Sequence, residues 1–124
     1  MANPNIVNVS TITGNTTYVA LSSTSATTLL SNAASSNKVF KVDDIVVSNV
    51  NGSTAANVTV SVNSAAAGAG TAYRLAYQIS VPAGASLIVT DKSTAFYLME
   101  NQSVVITAGT ANYLEAVLSY EDIS

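Results

Sequence analysis

Cysteine, histidine and tryptophan are all absent from these 124 residues, and charge is scarce: 9 % of the chain, four Lys+Arg against seven Asp+Glu, for a net charge of −3. Without cysteine or histidine there is no disulfide framework, no ordinary zinc or iron site and no imidazole base for a serine triad. The four cations, Lys38, Lys41, Arg74 and Lys92, form no cluster that could displace counterions from a phosphate backbone, so a nucleic-acid partner is not expected. No apolar run approaches the ~20 residues of a membrane span. Met1 to Asn5 lacks the basic and apolar regions of a signal peptide. The expectation is a soluble, non-enzymatic protein made in the cytoplasm, with no cofactor, no metal and no membrane partner.

What is abundant is Ala, Val, Ser, Thr and Asn, in a chain sized for one domain. β-Branched residues favour strands over helices. From Tyr73 to Val81 large apolar residues take every odd position, a period of two that predicts a strand with one buried face, stopped by Pro82-Ala83-Gly84. Further strands are predicted over Thr16–Leu21, Ala26–Leu30, Lys38–Val50 (the longest apolar-rich segment), Val58–Val62, Ser86–Thr90, Phe96–Met99, Gln102–Ala108 and Tyr113–Tyr120. Turns every 8–12 residues, with no connection holding a crossover helix, predict an all-β fold: an antiparallel β-sandwich, jelly-roll-like, with an N-terminal extended arm. The arm covers residues 1–14, ending in a turn at Thr13-Gly14-Asn15, and residues 15–124 form the sandwich. Asn51-Gly52 predicts a hairpin into Val58–Val62. Core positions are Val60, Leu75, Tyr77, Ile79, Leu114 and Leu118.

Few constellations offer chemistry. Asp43-Asp44 is the one acidic pair in the chain's middle, but adjacent strand residues point to opposite faces, so the pair predicts a bulge or tight bend at a register change. Gly68-Ala69-Gly70 lacks the spacing and the lysine of a phosphate loop and reads as a flexible hairpin tip. The five N-x-S/T triplets follow from a composition rich in those residues. Tyrosine is common at protein contacts, and Tyr18, Tyr97 and Tyr113 are the candidates for such a role, together with Asn5, Ile6, Val7, Val9 and Ile12 of the arm.

Several segments carry a resemblance: Lys38-Val39-Phe40-Lys41-Val42, Ile45-Val46-Val47-Ser48-Asn49, Val81-Pro82-Ala83-Gly84-Ala85-Ser86-Leu87, Phe96-Tyr97-Leu98-Met99-Glu100-Asn101-Gln102-Ser103, the closing Leu118–Ile123, and the opening Asn5–Val9 and Ile12–Gly14. In their order they resemble small virion structural proteins of tailed bacteriophages, particularly marine and cyanobacterial ones. The resemblance implies a capsid decoration (cement) protein in the virion, a homo-oligomer with a trimer favoured, whose partners are the major capsid protein or other virion proteins. Alternatives are a neck or tail component and a carbohydrate-binding β-sandwich module. An adhesin-type repeat would need neighbouring copies, and no internal repeat is visible.

Overall fold

The structure is a computed structural model that describes residues 4–124. Across these residues nine strands form two packed antiparallel sheets: β1 (Ile12–Ala20), β2 (Thr27–Asn32), β3 (Val39–Asn49), β4 (Ala56–Asn63), β5 (Ala72–Val81), β6 (Ser86–Thr90), β7 (Phe96–Leu98), β8 (Gln102–Ala108) and β9 (Leu114–Ile123). One sheet runs β1-β9-β3-β6, with β7 beside β6 on the same edge of β3; the other runs β2-β8-β4-β5. The pairings β4 with β5, β3 with β6, β2 with β8 and β1 with β9 are nested, as if one long hairpin had been rolled up. That nesting is the jelly roll expected from the sequence.

The core lies between the sheets and follows strand alternation. Val42, Ile45 and Val47 of β3 and Leu114, Ala116 and Leu118 of β9 meet Val58 and Val60 of β4 and Val104 and Ile106 of β8. Asp43 sits where β3 gains a residue against β9, so the acidic pair marks a β-bulge as its sequence predicted. The bulge moves Ile45 and Val47 onto the same inward face as Phe40 and Val42.

Five expectations are corrected, the last of them in the β4–β5 connection. Asn51-Gly52 does not close a hairpin, because β3 and β4 lie in different sheets; the Asn51 side chain instead accepts from the backbone N–H of Ser53 (2.9 Å) and Thr54 (2.8 Å), turning the chain across the sandwich. Gly14 lies inside β1, not in a turn, so a boundary at residue 14 falls within a strand. Over the described residues 4–11 the N-terminal arm is not extended: Asn5 O accepts from Asn8 N, and Ser10 N and Thr11 N donate to Ser124 O. Residues 1–3 of that arm lie outside the described residues. The fourth correction concerns β5: Val60, Leu114 and Leu118 are buried, whereas Leu75, Tyr77 and Ile79 are exposed.

Register explains the exposure of Leu75 and Tyr77. Between Ile79 and Ala76 the strand spends three steps against two on β4, and between Ala76 and Arg74 two against one. Each extra residue reverses which face the following side chains take, so Tyr77 and Leu75, on either side of inward Ala76, turn outward, while Ile79 opposite Val58 and Tyr73 opposite Val62 keep the inward side. Gln78 adopts φ +49° at the first bulge, and its N–H donates to Thr59 Oγ1 (3.0 Å). Only Val81 and the small Ala76 of this segment reach the core.

The β4–β5 connection is pinned, against its reading as a flexible tip. Buried Ser103 Oγ donates to Ala65 O (2.7 Å) and accepts from Gly68 N (3.0 Å), and Ser31 Oγ accepts from Ala67 N (2.9 Å). The loop thereby covers the outer side of β8 at Val105, which is why β8 is buried on both faces.

Candidate assembly surface

Exposed apolar residues gather along β5, an edge strand with β4 as its one sheet neighbour, Leu75 and Tyr77 on its outer face and Tyr73 and Ile79 on its inner one. Tyr73, Leu75, Tyr77 and Ile79 are 66, 42, 59 and 40 % exposed. The facing sheet offers only the five-residue β6 on that side, too short to cover the strand. The Arg74 guanidinium lies 5.4 Å from the centre of the Tyr77 ring, a cation–π contact that holds the ring at the surface.

A second apolar line crosses the outer face of the other sheet. Tyr18 on β1 is opposite Val117 on β9, Val117 is opposite Val46 on β3, and Val46 is opposite Ile88 on β6. Three of the four are exposed, and the fourth, Val46, is half-buried. The rows beside it are polar: Thr16 Oγ1 and Ser119 Oγ are hydrogen-bonded at 3.3 Å, and Ser48 Oγ and Ser86 Oγ at 2.9 Å. An apolar row bounded by hydroxyl rows is laid out as a contact surface.

The expected contact residues divide between places. Pro4 and Ile6 line a shallow groove with Val39, Tyr97 and Met99, so Ile6 and Tyr97 meet each other's surroundings within the chain. Asn5 is exposed and its Oδ1 accepts from Val7 N; Val7 is the most exposed large apolar residue described, and Val9 is half-buried. Ile12 and Tyr18 project from β1 into solvent, while Tyr113 packs against the core. The β5 tyrosines and the Val117–Val46–Ile88 continuation of the Tyr18 row were missed from sequence. The four-strand row could not be found without registers, since its members lie far apart in the chain.

Two ion pairs link charged residues across the sheet. Lys38 Nζ pairs with Asp122 (3.0 Å) and Lys41 Nζ with Glu121 (3.9 Å), joining β9 to the start of β3, and no group of three or more acidic side chains is placed to hold a metal. Asp91 caps a single helical turn, and hydrogen bonds from the Ser93 hydroxyl and backbone hold its carboxyl below the ordinary aspartate value. Among the described residues no helix is long and apolar enough to cross a membrane.

The fold and its surfaces define an all-β jelly-roll sandwich with open sheet edges. No protein-family model and no curated protein matches the sequence. Among solved structures, the chain is similar to one from work describing Bacillus endospore appendages as a novel family of disulfide-linked pili. The TM-score is 0.54 at 16 % identity, over 92 % of this chain and 88 % of that one. At that identity the likeness establishes the fold alone.

Proposed function

We propose that this chain is a non-enzymatic structural subunit of a tailed-phage virion, of the capsid decoration type, that works by covering shell subunits and one another. The observation that carries the reading is the exposed apolar edge strand β5, with Leu75 and Tyr77 on its outer face and Tyr73 and Ile79 on its inner one. A partner that wraps this edge and meets both faces covers the equivalent of about two large residues, roughly 400 Å² at 150–250 Å² each. Burying that area contributes roughly 10 kcal/mol gross at 25 cal/mol per Å², of the same order as the 4–15 kcal/mol that association costs. The edge therefore supports binding where other contacts add to it, as on a shell. Binding the closed shell and not its open form stabilises the shell by mass action.

The test uses heads purified from a phage that carries this gene and stripped of accessory proteins. The wild-type chain is expected to cosediment with them and to raise the temperature at which they open. The Leu75→Ser/Tyr77→Ser double variant is expected to stay folded and remain in the supernatant. Absence of binding by the wild-type chain would reject the decoration reading.

A second reading, a filament subunit, is favoured by the fold likeness to a pilus protein. That protein's pili are disulfide-linked, whereas this sequence holds no cysteine, so a filament of this chain would rest on non-covalent contacts alone. Electron microscopy of the concentrated chain without heads separates the two: fibres support the filament, dispersed particles the decoration protein.

A further inference from the structure

Among the described residues five strands border the two sheets, and four of them are blunted. β2 is six residues with a register shift beside Leu29, β5 carries two bulges and Arg74, β6 is five residues with a register shift against β3, and β7 is three residues. β1 is different: nine residues in unbroken register with β9, without charge or proline. A long, regular, uncharged edge is a template for another strand.

The hydrogen-bonding phase of that edge can be read directly. Thr11 and Ser124 exchange both backbone hydrogen bonds (3.1 and 3.0 Å), and at the far end Leu21 N donates to Leu114 O (2.9 Å) in the same register. Since bonded and non-bonded pairs alternate in an antiparallel ladder, the odd residues of β1 address β9. Ile12, Gly14, Thr16, Tyr18 and Ala20 therefore direct their N–H and C=O groups outward.

We infer that β1 pairs with β1 of a second copy, antiparallel about a two-fold axis at Thr16. This register gives all five outward residues a partner: Thr16 meets its own counterpart, Gly14 meets Tyr18 of the second copy, and Ile12 meets Ala20. Tyr18, 76 % exposed, then lies across Gly14 of the other copy, where a Cβ would have nothing within 4 Å and the ring has open space. Charge is compatible too. Glu121 lies beside Gly14 and Glu115 beside Ala20 on β9, so each faces an apolar side chain of the second copy and never the other's glutamate. The two β1-β9-β3-β6 sheets become one continuous sheet with no β1 edge left.

The contact is small. A nine-residue strand is about 30 Å long, so one edge covers a few hundred Å², short of the roughly 800 Å² per partner of a stable interface. It is a weak dimer contact in dilute solution that strengthens where copies are already held side by side. It stands whichever particle the subunit belongs to.

The absence of native cysteine makes the test clean. In Thr16→Cys the two thiols meet across a bonded pair with Cα atoms about 5.5 Å apart, inside the disulfide range. Under mild oxidation the full chain is expected to form a covalent dimer at least about tenfold faster than Thr24→Cys, an exposed control off the edge. In sedimentation, Thr16→Lys and Thr16→Glu are each expected to remain monomeric, and their equimolar mixture to associate. Equal cross-linking rates for the two cysteine variants, or no association on mixing the charge variants, would overturn the pairing.

Discussion

Asn49 joins three segments of the fold, and removing its side chain is expected to cost about as much as truncating a buried apolar residue of its size. It ends β3 and is 3 % exposed. Its Nδ2 donates to Thr54 O and Val81 O, both at 2.9 Å, and its Oδ1 accepts from Asn51 N at 2.9 Å. The first and third bonds shape the crossing from β3 to β4; the second fixes the end of β5, where Val81 is wholly buried. Asn49→Ala deletes three bonds worth about 1 kcal/mol each and leaves the Val81 carbonyl without its partner, while Asn51 and Thr54 can turn partly to water. The expected loss is about 2–4 kcal/mol. With an unfolding entropy of about 2.1 cal/mol/K per residue, this chain should lose roughly 8–15 °C in melting temperature. Asn49→Asp should be worse, because it keeps the acceptor but sets a carboxylate against two carbonyl oxygens. Thermal unfolding followed by circular dichroism reads both. A melting temperature for Asn49→Ala within about 2 °C of wild type, or an aspartate no worse than the alanine, would refute the reasoning.

The reassignment of β5 predicts that Leu75→Ser and Tyr77→Ser each change stability by about 0.5 kcal/mol or less, while Leu118→Ala costs about 2–5 kcal/mol; urea unfolding of the three variants checks the order. Asp91 has a depressed folded-state pKa, so its contribution to stability is present above the ordinary aspartate value and is lost as pH falls through the folded-state value. The stability difference between wild type and Asp91→Asn should therefore vanish in acid and be restored near neutral pH. Acid titrations of the two proteins at low salt, where this exposed group is least screened, read the difference.

Strand existence was legible because it rests on local chemistry. Ser86–Thr90 and Gln102–Ala108 have the predicted bounds, and the Asp43 bulge is visible as two acids at a change of hydrophobic phase. Sheet membership is not local. Asn51-Gly52 has the composition of a hairpin turn, yet the nested pairing sends β3 and β4 to opposite sheets, so the same residues make a side-chain-capped crossing. The buried asparagines were illegible for a related reason: Asn32 donates to Lys38 O and Leu98 O, the latter 66 positions away, and such a partner appears only after folding. In β5 the sequence alternates without a break, and the bulges that reverse its faces are imposed by pairing with β4. The error fell on the residues that now form the candidate assembly surface, which were assigned to the core because they are large and apolar.

Edge protection in this fold links composition to assembly. Proteins commonly guard open edges with charge, especially lysine, but a chain with 9 % charged residues has little to spend there. Of its four cations, Lys38 and Lys41 pair with acids on β9, and Arg74 alone lies within a border strand. Backbone geometry guards the edges instead, since bulges interrupt β2, β5 and β6, and brevity limits β7. Such devices suppress strand addition without suppressing side-chain contact, so β5 can offer its tyrosines to a partner while resisting extension of its sheet. β1 lacks both bulge and charge, and its two-fold register uses every outward hydrogen-bonding group at once. An edge that pairs with itself about a two-fold axis is used up by one partner, so it closes where an unguarded, non-closing edge would propagate. The two surfaces thus do separate work: β1 sets which copy lies beside which, and the β5 edge remains free to meet a third surface.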